Sequence, residues 1–394
     1  MKRLFTCLIL ITSLNCLIAQ TPVNKELQTY VDFLGNQAAT AKDYILHLFE
    51  HNDIVVLGER NHQDITQYDL FLDVIKDPYF IKNVGIVFAE VGTKNLNPEL
   101  NNFISDNLMT DEEVNKQTLY FLRNCMFPYW RNYNFAYYIR GLRDINKNIP
   151  WGSKIEFYPS DELYVKGELT VDNAVEMIKR VAVRDSLIAD NIINKFEEIK
   201  KSGNRKKALV VMNYRHAYNN KFDFTFESGE KVKNTTEFLF NRYPGKVANV
   251  LINTINISGN FSTLQDGKWD AAFKLMNIEN MGFDFKGSPF GKDNFDHWTY
   301  KNNFTYSDIF TGFVFYLPVE KFRLVAGFPH FMEDGFVEDC MLKEKLWAKA
   351  FSKLSNKEIE PSATKEELMQ YNVINVKPIQ NLDSILLQIN KWLK

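Results

Sequence analysis

The chain has 394 residues, of which 45% are hydrophobic, and this content supports a large buried core. With 47 basic and 49 acidic residues, its net charge of −2 gives no electrostatic basis for binding nucleic acid or anionic lipid. The chain has no low-complexity tract, flexible linker or repeat of fixed period, so we expect one elaborated domain.

The first residues have the three-part pattern of an export signal. Lys2 and Arg3 give a basic start, residues 5–18 are mostly apolar, and Ala19 is a small residue before a polar break. The apolar run is short for a bilayer span. We therefore predict a signal peptide over residues 1–19, with a membrane anchor as the less favoured alternative.

Removing this signal leaves a mature chain of residues 20–394, with 45 basic and 49 acidic residues. We expect it to be periplasmic or secreted. Lipoprotein anchoring through Cys16 is less favoured, because Asn15 is larger than the residue normally found before a lipidated cysteine. No segment of the mature chain has the length and apolarity of a membrane span, so we predict no integral span.

Short apolar runs alternate with helical stretches along the mature chain. Runs of this length that are rich in β-branched residues are typical of strands buried on both faces. The helical stretches between them predict crossover connections, and therefore an α/β fold with a largely parallel central sheet flanked by helices. The predicted strands are residues 54–57, 84–89, 155–158, 208–212, 247–252 and 313–316.

Ionisable residues follow several of these strands at the carboxyl end. Glu59 and His62 follow the first strand, Glu90 the second and His216 the fourth, and Asp161 extends the pattern after the third. Each residue alone has a structural interpretation, as a turn residue, helix cap or packing histidine. Because ligands bind beyond the carboxyl ends of parallel strands, their joint placement predicts one shared polar site.

An apolar stripe at helical spacing predicts one long helix between Thr170 as N-cap and Gly203 as the stop signal. Asp185 falls on this stripe, with Arg184 beside it. A carboxylate on a core-facing stripe is costly unless it is paired. We therefore expect an internal Arg184–Asp185 structural pair, and the alternative is that the two residues orient an active-site histidine.

Residues 261–306 are rich in glycine, asparagine and aromatic residues and show little periodicity. This composition predicts an irregular, lid-like insertion at about residues 255–310. His297 in this segment is expected to have a surface or packing role rather than to enter the pocket.

Two cysteines, Cys125 and Cys340, remain in the mature chain. Export to an oxidising compartment makes a disulfide between them one interpretation. Free buried thiols are the other, and the sequence leaves both open.

Four motifs in chain order resemble the erythromycin esterase-like superfamily. Residues 57–62, Leu-Gly-Glu-Arg-Asn-His, are similar to its Gly-Glu-x-x-His motif, and Glu90 resembles its second glutamate. Residues 184–191 resemble its Arg-Asp-x-x-x-Ala-x-Asn helix, and residues 211–216 resemble its strand ending in Asn-x-x-His. The resemblance covers roughly residues 53–219. Tiki-type metalloproteases and haem-binding iron-uptake lipoproteins share the first motif.

The resemblance implies a role for each motif residue. The motif histidine of the esterases is a general base acting on water, which implies that role for His62, with Glu59, Glu90 and His216 in support. A histidine can take a proton from water near neutral pH, and a second one can donate to the oxyanion or leaving group. The residues with expected substrate-binding or supporting roles are Arg60, Asp161, Arg184, Asp185, Asn213 and Arg215.

The chain also departs from the family pattern. The esterases carry an arginine on the helix after the motif histidine, and residues 64–77 contain none. Arg60 and Arg215 are the candidate substitutes. Tyr214 and Arg215 stand before His216 where the family has small residues, so macrolide hydrolysis does not follow from the resemblance.

Three functions are compatible with this pattern. The favoured one is a hydrolase of an ester, lactone or related bond that works without a metal or other cofactor on a small-molecule substrate, with no protein partner. The second is a hydrolase or protease in which Glu59, His62, Glu90 and His216 hold zinc or manganese. The third is an exported, non-enzymatic binding protein for haem or another small ligand.

Overall fold

The computed structural model describes residues 24–125, 129–162, 169–203, 205–219, 233–256, 261–297 and 303–394. The predicted signal peptide lies outside these residues. The helices are α1 (Lys25–Leu34), α2 (Ala41–Leu48), α3 (Thr66–Ile75), α4 (Pro78–Asn83), α5 (Asn97–Ser105), α6 (Asp111–Asn124), α7 (Asn134–Lys147), α8 (Val171–Val181), α9 (Arg184–Ser202), α10 (Thr235–Arg242), α11 (Lys268–Leu275), α12 (Pro289–Lys292), α13 (Tyr306–Ile309), α14 (Phe336–Ser355), α15 (Lys365–Met369) and α16 (Leu382–Trp392).

The strands are β1 (Ile54–Glu59), β2 (Ile86–Thr93), β3 (Glu156–Asp161), β4 (Ala208–Asn213), β5 (Val247–Ile252), β6 (Ile255–Asn256), β7 (Ser262–Thr263), β8 (Asn280–Asp284), β9 (Gly312–Tyr316), β10 (Leu324–Ala326) and β11 (Asn375–Lys377). Seven of them form one sheet in the order β3-β2-β4-β1-β5-β9-β8. All its neighbouring pairs are parallel except β8 with β9. The predicted α/β fold with a largely parallel sheet is therefore confirmed.

The sheet is buried on both faces by two apolar clusters. Along β1, Val55 and Leu57 belong to one cluster, and Ile54 and Val56 belong to the other. Successive side chains of a strand point to opposite faces, so one strand supplies both cores. This explains why the sequences of the strands are continuous apolar runs rather than alternating apolar and polar residues.

The strand order brings three carboxyl ends of the sheet together. β4 lies between β2 and β1, and Glu59 at the end of β1 is in register with Asn213 at the end of β4. Neighbouring strands are about 4.8 Å apart. The segments that follow these three strands therefore meet at one edge of the sheet.

The predicted long helix over residues 170–203 is instead two helices, α8 and α9. Thr170 caps α8 as predicted, but the helix ends at Val181, and a second helix begins at Arg184. The break places Arg184 and Asp185 in the first turn of α9. There their side chains reach the carboxyl end of the sheet rather than continuing an apolar stripe.

The segment predicted as an irregular insertion over residues 255–310 contains regular structure. It contributes α11 and also β8, which pairs along its whole length with β9. Its aromatic residues are core residues: Trp269 and Phe283 are buried. A five-residue edge strand is too short for a clear periodicity, which is why the sequence did not reveal it. Residues 257–260 and 298–302 lie outside the described part.

Both cysteines of the mature chain are free and buried. The Sγ of Cys125 lies 3.7 Å from the carbonyl oxygen of Leu122 at the end of α6. Burial raises the pKa of the Cys340 thiol to about 12. The two cysteines therefore do not form a disulfide, and each thiol is part of the apolar packing.

Within the described residues, no helix combines the length and apolarity that a bilayer span requires.

Candidate active site

Glu59 and His62 form a hydrogen-bonded pair at the end of β1. The chain turns after Glu59, and this turn brings the Nδ1 of His62 to 2.8 Å from Oε2 of Glu59. Glu59 is only 1% exposed, whereas 21% of the His62 side chain is exposed. Because a carboxylate only accepts, Nδ1 carries the proton of the neutral ring. The lone pair of the imidazole is therefore on Nε2.

A closed chain of contacts behind this pair fixes the imidazole. The Tyr68 hydroxyl donates to Oε1 of Glu59, and Nδ2 of Asn134 donates to the Tyr68 oxygen at 2.6 Å. Trp130 donates from Nε1 to Oδ1 of Asn134 at 2.8 Å, and its ring lies edge-on to His62 with centroids 5.2 Å apart. Both oxygens of the buried carboxylate are thus satisfied, and His62 is held from two sides.

Opposing effects set the pKa of His62. Burial lowers it, but the Glu59 carboxylate raises it by charge and by hydrogen bonding, and Glu90 raises it further. The positive charge of His216 acts against these carboxylates. The net result is a pKa above the ordinary value of 6.5, so the ring is a stronger base than a free imidazole.

A second cluster centres on Glu90, which lies within β2 rather than beyond it. Its Oε1 accepts from Arg184 at 3.0 Å, and Arg184 also contacts Oδ2 of Asp161 at 2.9 Å and 3.0 Å. Burial raises the pKa of Glu90, but His216 and Arg184 outweigh it and hold the pKa well below its usual range. Glu90 is therefore a fixed negative charge.

Both ring nitrogens of His216 are engaged in this cluster. Nδ1 lies 2.7 Å from Oδ1 of Asp185, which also accepts from the main-chain N–H of Thr235 at 2.6 Å. Nε2 lies 3.3 Å from Oε1 of Glu90. Burial lowers the pKa of His216, but Glu90 and Asp185 together raise it to about 10. His216 is accordingly a largely buried imidazolium, and both of its ring nitrogens already face a carboxylate.

The expected internal pair between Arg184 and Asp185 is wrong. Arg184 binds Asp161 and Glu90, while Asp185 binds His216, because the first turn of α9 aims the two side chains at different partners. The alternative interpretation, that these residues orient a histidine, agrees with these contacts.

The two clusters lie on different faces of the same sheet edge and meet at Asn213. Side chains two residues apart on a strand point to the same face of the sheet. Glu59 is two residues after Leu57 of one apolar cluster, whereas Glu90 is two residues after Phe88 of the other. The main-chain N–H of Asn213 donates to Oε2 of Glu90 at 2.9 Å, and its side-chain amide donates to the carbonyl oxygen of Arg60 at 3.3 Å. Asn213 therefore links the Glu90 cluster to the main chain of Arg60, the residue that follows Glu59.

A cleft of about 280 Å³ opens beside His62. Its walls include Asn61, Tyr214, Arg215 and Phe322. Glu90 and His216 are not among the described residues that line it. The residue of the site with a free ring nitrogen at the cleft is thus His62.

The two candidate substitutes for the missing helix arginine have different environments. Arg60 is 1% exposed, with Nε 3.1 Å from Oδ2 of Asp64 and its guanidinium 3.8 Å from the centre of the Phe322 ring. Arg215 is exposed at the cleft, and its Nε donates to Oδ1 of Asn213 at 3.4 Å. Of the two arginines among the described residues that line the cleft, Arg215 is therefore the exposed one.

The four residues predicted as alternative zinc or manganese ligands do not fit one ion. Glu59 is bonded to His62 and Tyr68, and an arginine occupies the oxygen of Glu90 that faces His216. Among the described residues, a set of three or more side chains with ligand atoms mutually within 4.8 Å occurs elsewhere, not here.

Sequence reasoning missed Tyr68, Asn134 and Trp130. Tyr68 lies on α3 and Asn134 begins α7, so only the fold brings them to Glu59. Trp130 belongs to a run of aromatic residues, most of which core packing explains, so the sequence does not single it out.

No family model matches the sequence, and no curated protein matches it. Solved structures do match. One is a succinoglycan biosynthesis protein with 12% identity, and the match covers 75% of this chain and 97% of that one with a TM-score of 0.48. A solved erythromycin esterase is also among the matches. It is a mutant in its open conformation, with 9% identity, coverage of 74% of this chain and 96% of that one, and a TM-score of 0.43.

A third match is ChaN of Campylobacter jejuni, described with cofacial haem binding. Its identity is 14%, the match covers 56% of this chain and 89% of that one, and the TM-score is 0.31. The matches thus include an erythromycin esterase, the kind of protein that the four motifs resemble. At these identities and TM-scores the likenesses carry no argument about activity, which rests on the geometry of the site.

Proposed function

We propose that this chain is an exported hydrolase of an ester, lactone or related bond, in which His62 is the general base that activates water. The observation that carries the proposal is the 2.8 Å contact between Nδ1 of His62 and the buried Glu59, on a ring that lines a cleft. This contact fixes the tautomer and leaves Nε2 to accept a proton. The raised pKa of the ring suits that task.

The proposed hydrolysis uses His62 to transfer a proton and Glu59 to stabilise the charge that forms on its ring. A water molecule gives one proton to Nε2 of His62 while its oxygen attacks the carbonyl carbon of the substrate. The carbon–oxygen bond to the leaving alcohol then breaks, and the proton on Nε2 passes to the departing alkoxide. Glu59 stabilises the imidazolium that exists between the two transfers, and the products are a carboxylic acid and an alcohol.

Arg215 is the residue that we assign to the developing negative charge of the carbonyl oxygen. It is exposed at the cleft, and a guanidinium there stabilises an oxyanion more strongly than it stabilises the neutral carbonyl. Arg60 is confined by Asp64 and Phe322 and is a structural residue.

The Glu90 cluster positions this machinery without touching the substrate. Glu90 accepts from the main-chain N–H of Asn213, and Oδ1 of Asn213 accepts from the N–H of Arg215 at 3.3 Å. The charges of Arg184 and His216 hold Glu90 in place. The cluster therefore fixes the turn that carries Arg215.

The test is a panel of esters, thioesters and lactones assayed on the mature chain, residues 20–394, with and without chelator. We expect turnover that chelator does not change, and a His62→Asn variant that keeps its circular dichroism spectrum but loses activity. Turnover that chelator abolishes and zinc or manganese restores would contradict a metal-independent base. No turnover on any substrate, together with a Soret band that requires His62 on haem titration, would instead favour the binding-protein alternative.

A further inference from the structure

Three potential metal ligands lie together on the surface, apart from the cleft. His47 is in the last turn of α2, and Glu50 and His51 are in the turn that follows it. All three side chains are exposed, and their ligand atoms lie within 4.8 Å of one another. Nδ1 of His47 is 3.3 Å from Oε2 of Glu50, and the two imidazole rings are edge-to-face with centroids 5.9 Å apart.

The donor set is that of a late first-row transition metal. Two imidazoles and one carboxylate provide three positions of a tetrahedral zinc site and leave the fourth to water. Bonds of about 2 Å place the ligand atoms of such an ion roughly 3.3 Å apart. The present ligand atoms lie within 4.8 Å of one another on exposed side chains, so rotation of those side chains is the movement that the site requires.

The helix end and the backbone of the following turn determine how the three ligands are presented. The carboxyl end of a helix carries a partial negative charge, and the three residues surround the end of α2. The backbone of this turn is held by main-chain hydrogen bonds from His51 and Asn52 to the carbonyl oxygen of Leu48, at 3.3 Å and 3.1 Å. Lys207 also contacts the carbonyl oxygens of Phe49 and Asn52. The main chain that carries the three ligands is therefore held in place before an ion arrives.

We propose that His47, Glu50 and His51 form a binding site for a divalent late transition-metal ion such as Zn²⁺ or Cu²⁺. The chain contains a matched control for this site. His330 and Glu333 have the same i, i+3 spacing, an Nδ1–Oε2 distance of 2.8 Å and similar exposure. That pair is not part of a three-ligand group among the described residues, so it offers one imidazole where the proposed site offers two.

The test is titration of the full mature chain with Zn²⁺ by calorimetry and with Cu²⁺ by electron paramagnetic resonance. The wild type is expected to bind one ion at this site, with nitrogen couplings from two imidazoles. His51→Ala is expected to weaken binding at least tenfold and to leave the coupling of one nitrogen, while His330→Ala changes neither. Both histidine variants should hydrolyse substrate as the wild type does, because neither residue lines the cleft.

Three outcomes would overturn this assignment: no binding by the wild type, equal affinity of the wild type and His51→Ala, or a two-nitrogen signal that disappears in His62→Ala instead. The last outcome would place the ion at the cleft. A failure of the proposed hydrolysis alone would leave the titration result standing, so the two proposals are separable.

Discussion

At the scale of single residues, the buried carboxylate of Glu59 organises the cleft side of the site. It accepts from His62 on one oxygen and from Tyr68 on the other, so that its removal from water is compensated at both atoms. Asn134 and Trp130 extend this network back to the imidazole. The ring of His62 is therefore fixed in place before a substrate arrives.

Replacing Glu59 with glutamine should lower the pH at which the proposed hydrolysis begins. Glu59 is the main influence that raises the pKa of His62, and without it the lowering effect of burial is opposed by the weaker influence of Glu90. The acidic limb of the kcat/KM profile should move to lower pH, and kcat should fall about 100-fold because the imidazolium loses its partner. The measurement is a pH profile of hydrolysis.

Glu333→Gln is the matched control, since it removes the same type of contact from His330 outside the cleft. Its profile should match that of the wild type. A profile of Glu59→Gln with an unchanged inflection would show that the carboxylate does not set the pKa of the base.

His216 should stabilise the fold in a pH-dependent manner. Its pKa rises from about 6.5 to about 10 on folding, so its contribution is complete below about pH 6.5 and is lost as pH rises through about 10. His216→Gln should therefore lower the free energy of unfolding by about 3 kcal/mol or more at pH 6. Urea unfolding at several pH values should show the gap between variant and wild type narrowing from about pH 6.5 to about pH 10. A gap that stays constant up to pH 11 would argue against a buried imidazolium.

Several residues of the site could be predicted from the sequence, because they lie at or just after the carboxyl ends of predicted strands. Glu59, His62 and His216 were predicted from that position, and each lies at the expected sheet edge. The sequence did not reveal that Glu59 and Glu90 leave the sheet toward different faces. Both faces of these strands are apolar, so the hydrophobic pattern does not record which face a given residue occupies.

At the scale of elements, the strands were more predictable than the connections between them. The predicted strand over residues 247–252 matches β5 from end to end, because a short run rich in valine and isoleucine favours a buried strand. The break between α8 and α9 has no glycine or proline to mark it, since the chain reads Val181-Ala182-Val183 there. Tertiary contacts of Arg184 and Asp185 decide where the second helix begins.

The edge of the sheet depends on close packing of Tyr44 against β9. A Cβ atom added at Gly312 would lie 1.7 Å from Oη of Tyr44, which donates to Asp284 at 2.7 Å. Gly312→Ala should therefore displace the ring and lower the free energy of unfolding by about 2–3 kcal/mol. Gly152→Ala is the control, because nothing lies within 4 Å of its Cβ position. Equal urea midpoints for the two variants would contradict this packing account.

At the scale of the whole molecule, composition and periodicity predicted the class of the fold but not its edges. The strand β8 and the helix α11 lie in a segment whose aromatic residues looked irregular. Their burial comes from packing between residues far apart in sequence, such as Phe33 against Phe283 with ring centroids 5.0 Å apart. Contacts between residues so far apart in sequence leave no pattern in the local sequence from which they could be predicted.

Export is a prediction about the whole molecule. Expression in a cell with a functional secretion pathway should yield a chain that begins at Gln20, because the apolar run ends in a small residue at Ala19. Intact mass and amino-terminal sequencing of the exported protein provide the measurement. A chain that keeps residues 1–19, or one that begins at a lipid-modified Cys16, would show that the leader is an anchor.

The central claim is that the imidazole of His62 takes the proton from water, and chemical rescue tests it most directly. His62→Ala should reduce kcat by about 10²- to 10⁴-fold, and added imidazole should restore part of the rate in proportion to its neutral form. Rescue should persist in the presence of chelator. A His62→Ala variant that keeps full activity would contradict the account, and so would a lost activity that zinc restores and imidazole does not.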